Sequence, residues 1–324
     1  MSTLGHLSIF ILSSLAVWLS AGVLIESVDR IAKRFHKTAF SVAFFVLGIL
    51  TSLSEISVAI NSSLEGVPQI SVGNLVGASF VILLFIIPLL AIAGKGIGLK
   101  HLMSKRNIIL AFAVILLPAL LLADGSITKF EGVLAIIAFL ILFYAIHSQK
   151  RSEKKIDIIP GIPPETEKAT IADFLKIVAG GAIIFVAGHY LVEQSIFFAG
   201  LLNIPGSVIG LIILSIGTNV PELVIAARSI IKKHKDIAFG DYIGSAAVNT
   251  LIFGFLAFSN GSFSVEPNEF SAATMLMIVG LFFLYFFARS QDTVSRKEGF
   301  FLILFYLVFI MVQLMNAARL AAGV

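Results

Sequence analysis

Thr51-Ser52-Leu53-Ser54-Glu55, followed by Gly73-Asn74-Leu75-Val76-Gly77-Ala78, and Thr218-Asn219-Val220-Pro221-Glu222, followed by Gly240-Asp241-Tyr242-Ile243-Gly244-Ser245, are one pattern written twice. Glu55 lies 22 residues before Gly77, and Glu222 lies 22 before Gly244. Each glutamate sits inside a long apolar run. An ionised carboxylate is costly in hydrocarbon, so an acid in such a run is by default a functional-site hypothesis.

The runs themselves decide the class. With 58% hydrophobic and 13% charged residues and a mean hydropathy of +1.02, the chain is not a soluble domain, whose charged fraction is about a quarter. Its apolar runs are long enough to cross about 30 Å of hydrocarbon as helices of roughly 20 residues, and they lack the alternation of an outer-membrane barrel. An all-α integral membrane protein follows, with the lipid bilayer as its main partner and no obligatory protein partner evident. The absence of cysteine excludes disulfides, thiolate metal sites and cysteine nucleophiles. The formal charge of +4 is spread through short loops, which argues against a nucleic-acid partner. The first apolar run, Leu7 to Ile25, has neither a basic segment before it nor a small-residue cleavage site, and reads as a retained span.

Ten spans are predicted, at about 6–26, 38–63, 69–93, 107–123 and 130–147, then 171–192, 205–230, 237–259, 269–289 and 299–317. Every second loop is basic: Arg30, Lys33, Arg34 and Lys37; Lys95, Lys100, Lys105 and Arg106; Lys150 to Lys168; Lys232, Lys233 and Lys235; Arg296 and Lys297. Cytoplasmic loops hold the excess of lysine and arginine. Both termini are therefore expected outside and the central linker in the cytoplasm, in a cell (inner) membrane. Residues 1–147 and 171–324 form two five-helix repeats around a linker at 148–170. An odd number of spans per half inverts the second half relative to the first, and matching positions then meet across a pseudo-two-fold axis near the midplane. That symmetry brings Glu55 towards Glu222.

On a helix, residues four apart share a face, so Thr51 lies over Glu55 and Thr218 over Glu222. Pro221 removes a backbone donor and crowds the carbonyl one turn back, which frees oxygens around Thr218. Carboxylates, hydroxyls and freed carbonyls are hard donors suited to Ca²⁺, Na⁺ or Mg²⁺. Gly73 with Gly77, and Gly240 with Gly244, are small residues one turn apart that let another helix approach closely. Two carboxylates about 5 Å apart repel by roughly 3 kcal/mol at an effective dielectric near 20. Protons or cations must relieve that repulsion, and their competition for one cage open alternately to each side is the physical core of antiport.

At these residues the sequence resembles the calcium/cation antiporter superfamily, in particular the sodium/calcium exchanger membrane region. That family carries a G-T-S-x-P-E-L-like segment followed by G-N-x-x-G-S-N in each of two repeats. The second half matches best, through Gly217 to Leu223, Gly240 to Ser245 and Asn249; the first keeps Thr51, Ser52, Glu55 and Gly73 to Gly77. The resemblance implies transported Ca²⁺ and Na⁺ or H⁺, no cofactor and no catalysis. It also implies cation binding by Glu55 and Glu222 with Thr51, Thr218, Ser52, Ser245 and Asn249, and Asn219 stands where serine is more usual. Ala78 and Ile82 stand where the family has serine and asparagine, and Ser54 where it has proline, so fewer donors remain for several sodium ions. An altered stoichiometry, a proton as counter-ion or another cation (Mg²⁺, Na⁺/H⁺ or K⁺) is the expectation.

Asn74 and Asp241 are possible additional site residues, Asp241 equally a cap of the eighth helix. His189 reads as a packing residue, Asn61 and Asn203 as loop or cap residues, Leu281 to Phe287 as lipid-facing. Glu26 and Glu193, each 29 residues before its glutamate, read as acids near helix ends. Gly240-Asp241 superficially matches the G-D of intramembrane aspartyl proteases, but that chemistry needs a second intramembrane aspartate. A channel would need a ring of subunits around a filter, rather than two inverted halves around one site.

Overall fold

The computed structural model describes residues 3–34, 39–64, 66, 68–98, 102–148, 171–201, 215–232, 234–265, 267–290 and 293–322. The first half comprises α1 (Thr3–Arg34), α2 (Ala39–Thr51), α3 (Leu53–Leu64), α4 (Pro68–Val81), a π-helical turn (Ile82–Ile86), α5 (Ile87–Ala93), α6 (Lys105–Leu121) and α7 (Lys129–His147). The second comprises α8 (Ile171–Leu201), α9 (Ser215–Thr218), α10 (Val220–Lys232), α11 (Lys235–Asn260), α12 (Pro267–Ser290) and α13 (Arg296–Ala322). The all-α expectation holds. Seven helical stretches among the described residues are long and apolar enough to cross a membrane, and Thr274–Arg289 is a shorter apolar helix.

Helix α1 is 32 residues long and α8 is 31, well beyond the predicted spans. Apolarity marks only the part in hydrocarbon. Charged residues that favour helix, such as Glu26 and Arg30, carry α1 past it. The predicted linker and the start of the seventh span, with Asn203, lie outside the described residues.

Burial sorts the helices into a centre and a shell. In their most apolar windows the stretch Pro68–Ala93 is 83% buried and α11 78%, against 31% for α1 and 28% for each of α7 and α13. The shell turns large apolar side chains outward, among them Leu4, Ile11, Phe130, Ile137, Leu304 and Met311. So broad an apolar exterior suits lipid, not water. In α12 Phe282 and Phe286 face outward, whereas Leu281 and Leu284 are buried and Phe283 meets Phe301 edge-on at 4.9 Å. A 3.6-residue period cannot turn all of Leu281 to Phe287 to lipid, and the expectation holds for one face only.

Two pairings fix the relation between the halves. Helices α1 and α8 run antiparallel, joined by Arg30 Nε donating to Asp173 Oδ1 at 2.8 Å near one end and by His6 stacked on Phe197 near the other. Helices α2 and α11 run parallel and nearly touch, because glycine leaves room for backbone. A Cβ placed on Gly240 would lie 2.4 Å from the Phe40 carbonyl oxygen, and one on Gly244 would lie 2.4 Å from that of Phe44. Gly48 faces Gly244 in the same way, its Cβ position 2.7 Å from Gly244 backbone. Two short antiparallel pairings join loops: Ile97–Gly98 with Thr293–Val294, and Ser126–Ile127 with Phe263–Ser264. The first joins two loops of the basic set and the second two of the non-basic set.

Candidate functional site

Both motif helices are broken, at Ser52 between α2 and α3 and at Asn219 between α9 and α10. Pro221 was expected to loosen the second, but the first breaks at the matching residue without a proline. Side-chain bonding to the preceding turn accompanies both breaks. Thr51 Oγ1 donates to the Leu47 carbonyl at 3.0 Å and Ser52 Oγ to that of Gly48 at 2.8 Å, while Asn219 Nδ2 donates to the Ser215 carbonyl at 2.7 Å. Such bonds compete with the helix ladder and bend it. Each glutamate consequently lies in the first turn of a new half-helix, Glu55 in α3 and Glu222 in α10. The N-terminal end of a helix dipole favours negative charge there.

The residues predicted from the doubled motif meet in one buried polar layer. Glu55, Glu222, Thr51, Thr218, Ser52, Asn219, Asn74, Asp241 and Ser245 are all fully buried, and Asn249 is 1% exposed. Their bonds cross between the repeats. Thr51 Oγ1 reaches Asp241 Oδ1 at 3.1 Å, and Thr218 Oγ1 reaches Asn74 Oδ1 at 3.4 Å. Asn74 and Asp241 occupy matching positions, as the two threonines do, so these are the two images of one contact. Ser245 Oγ donates to Glu222 Oε1 at 3.0 Å and lies 3.0 Å from Ser52 Oγ. Its counterpart contact is missing because Ala78 has no hydroxyl.

Asp241 is no cap, since α11 begins at Lys235 and places it inside the helix. The glycine reading holds for Gly240 and Gly244, which carry this segment hard against α2. Gly73 and Gly77 are buried in α4. His189 is not a packing residue: it is exposed, with its ring against Tyr190. Asn61 falls in the last turn of α3.

Ser54 was assigned no role from sequence. Its Oγ lies 2.9 Å from Glu55 Oε2 and 3.3 Å from the Thr218 carbonyl oxygen. The hydroxyl at the position matching Pro221 thus reaches a backbone carbonyl of the other repeat. Ser79 likewise stands 3.5 Å from Asn249 Nδ2 and supplies a hydroxyl one position beyond Ala78. At Ile82, which stands where the family has asparagine, the π-turn begins, and Ile87 N–H donates to the Ile82 carbonyl.

Five buried oxygens in this layer have no hydrogen-bond partner among the described residues: Glu55 Oε1, Glu222 Oε2, Asp241 Oδ2, Asn219 Oδ1 and Asn249 Oδ1. Buried polar atoms are almost always paired, so five unpaired acceptors in one layer fit cation ligation. Glu222 lies within electrostatic reach of both Glu55 and Asp241. Among the described residues no three His, Cys, Asp or Glu side chains converge on a single ion. Carboxylates interleaved with hydroxyls and amides form a hard, mixed oxygen lining of the kind that suits Ca²⁺ or Na⁺ rather than zinc or copper.

The chain is similar to known proteins over both halves. A family model described as sodium/calcium exchanger protein matches residues 5–147 and again 173–315. The sodium/calcium exchanger MaX1 of Methanosarcina acetivorans is 24% identical, over 89% of this chain and 92% of its own length. The putative antiporter CaxA of Alkalimonas amylolytica is 29% identical, over 75% of this chain and 77% of its own. Among solved structures, the sodium-calcium exchanger NCX_Mj has the same fold, with a TM-score of 0.78, 21% identity and coverage of 96% of this chain and 99% of that one. With both halves matched by one model, this chain belongs to the sodium/calcium exchanger protein family.

Proposed function

We propose that the chain is a secondary antiporter that exports Ca²⁺ in exchange for Na⁺ or H⁺, by alternating access at the cage formed by Glu55 and Glu222. The observation that carries this reading is the set of five unpaired buried oxygens contributed by both repeats. Thr51, Thr218, Ser52, Asn219, Ser245 and Asn249 complete the lining, with Asn74 and Asp241 as further members. The membrane is the cell membrane, with the linker in the cytoplasm and both termini outside, because the basic loops alternate. The protease alternative finds no support in the surroundings of Asp241, whose bonded partner is Thr51.

A proton-coupled reading is favoured over a several-sodium one by the hydrogen count at Thr51. Ala78 and Ile82 provide no side-chain oxygen, while Thr51, with one hydroxyl hydrogen, stands between two acceptors, the Leu47 carbonyl and Asp241 Oδ1. A proton on Asp241 supplies the missing hydrogen.

The test is ⁴⁵Ca²⁺ uptake into proteoliposomes under opposing Na⁺, K⁺ or H⁺ gradients. Uptake is expected only with an opposing Na⁺ or H⁺ gradient, with H⁺ the more effective. Equal uptake with no opposing gradient contradicts antiport, and three or more Na⁺ moved per Ca²⁺ contradicts the proton-coupled form.

A further inference from the structure

Helix α10 holds Glu222 in its first turn and two bases further on, Arg228 and Lys232. An arginine inside an apolar run is expected to have a specific partner. Here the partner is aromatic: the Arg228 guanidinium lies over the Trp18 ring at 4.2 Å from its centroid, and its Nε donates to the Trp18 carbonyl at 3.3 Å. One turn on, Lys232 Nζ donates to the Gly22 carbonyl at 3.1 Å and forms an ion pair with Glu26. A Cβ placed on Gly22 would lie 3.6 Å from the guanidinium, in ordinary van der Waals contact, so the Arg228 side chain runs directly over this turn of α1. Trp18, Gly22 and Glu26 fall at four-residue intervals on α1, as Arg228 and Lys232 do on α10. Two helix stripes thus meet rung to rung.

The symmetry shows that this fastening is one-sided. Residues matching Arg228 and Lys232 in the first repeat are Asn61 and Glu65, and those matching Trp18, Gly22 and Glu26 are Phe185, His189 and Glu193. Neither base has a counterpart, and Glu65 with Glu193 are like charges. Glu26, which reads from sequence as an acid near a helix end, is one side of a contact whose two bases have no counterpart in the sequence of the first repeat.

We propose that Arg228 and Lys232 are positioning residues that latch the Glu222-bearing half-helix to α1 at one end only, and that transport requires this latch to open and reclose. The transport part rests on the cation-antiport reading above; the contact itself does not. Loosening the latch leaves the oxygen lining intact, so it changes turnover rather than the apparent affinity for Ca²⁺.

Trp18 is the only tryptophan, and its emission in the cation-free protein reports the contact without any transport. In nanodiscs, Arg228→Gln is expected to change the Trp18 emission. In proteoliposomes it is expected to lower the maximal rate of Ca²⁺ uptake about fivefold with KM unchanged within about twofold, the loss of one partly desolvated cation–aromatic contact. Arg228→Lys keeps a cation over the ring and restores most of the rate. Glu26→Lys, at an exposed position, lowers the rate in a folded protein, and Glu26→Lys with Lys232→Glu recovers it. An unchanged Trp18 emission in Arg228→Gln overturns the contact. Full turnover in both Arg228→Gln and Glu26→Lys overturns its role. A changed Trp18 emission in Arg228→Gln, together with a wild-type protein that exchanges no Ca²⁺, overturns the transport role and the cargo reading while leaving the contact standing.

Discussion

Glu222→Gln and, separately, Glu55→Gln are expected to reduce Ca²⁺ exchange at least about a hundredfold while the protein remains folded. Glutamine keeps the shape of each side chain and removes its charge. Losing one partner of a buried charged set costs about 3–5 kcal/mol, and each 1.4 kcal/mol is a factor of ten. Glu222 accepts from Ser245, and Glu55 from Ser54. An amide can take over part of each bond, which limits the damage to the fold and separates loss of ligation from loss of structure. Size-exclusion profiles and ⁴⁵Ca²⁺ uptake, measured on the same preparations, check both halves of this expectation. Exchange retained in both variants would remove the assignment.

Gly244→Ala is expected to be the most damaging substitution outside the oxygen lining. The added methyl would lie 2.4 Å from the Phe44 carbonyl oxygen and 3.0 Å from its Cα. These are backbone atoms, so no side chain can turn aside, and α2 must move away from α11. Overpacking of this kind costs about 1–3 kcal/mol or more, enough to lower an apparent Tm by roughly 5 °C. The functional loss is expected to be larger, because the same shift widens the 3.0 Å contact between Ser52 and Ser245 that joins the repeats at Glu222. Thermal melts and uptake assays measure the two effects. Gly98→Ala serves as the control, since a Cβ there meets nothing within 4 Å. Wild-type behaviour of Gly244→Ala would show that the helices are not locked at this crossing.

Much of this arrangement was legible in the chain because a membrane protein writes its fold in coarse marks. Apolar length delimits helices, and the doubled motif announces the repeats. Charge inside hydrocarbon is costly enough to single out Glu55 and Glu222 unaided. Three features were not legible, for physical reasons that differ. The helix breaks at Ser52 and Asn219 come with side chains bonding back to their own preceding turn, and periodicity does not register which way a hydroxyl points. Ser54 gains its role from a carbonyl contributed by the other repeat, a contact with no local signal. Only the substitution of serine for proline hinted at it. The Arg228 contact with Trp18 depends on helix α1 lying beside α10, which follows from the packing of α1 on α8 and not from either stretch alone. The pairing of Asn74 and Asp241 with the opposite threonines lies between these cases. Their equal offset from the two glutamates was visible, but that each faces the other repeat was not.

The claim at the centre of this account is that one cation is held jointly by both repeats, and the most direct measurement is anomalous scattering from crystals soaked with Sr²⁺ as a stand-in for Ca²⁺. One strong peak is predicted, with Glu55 Oε1 and Glu222 Oε2 both within about 2.7 Å, close to the range of calcium–oxygen bonds. A peak bound by one glutamate alone, or lying outside the layer defined by Thr51, Thr218 and Ser245, would contradict it.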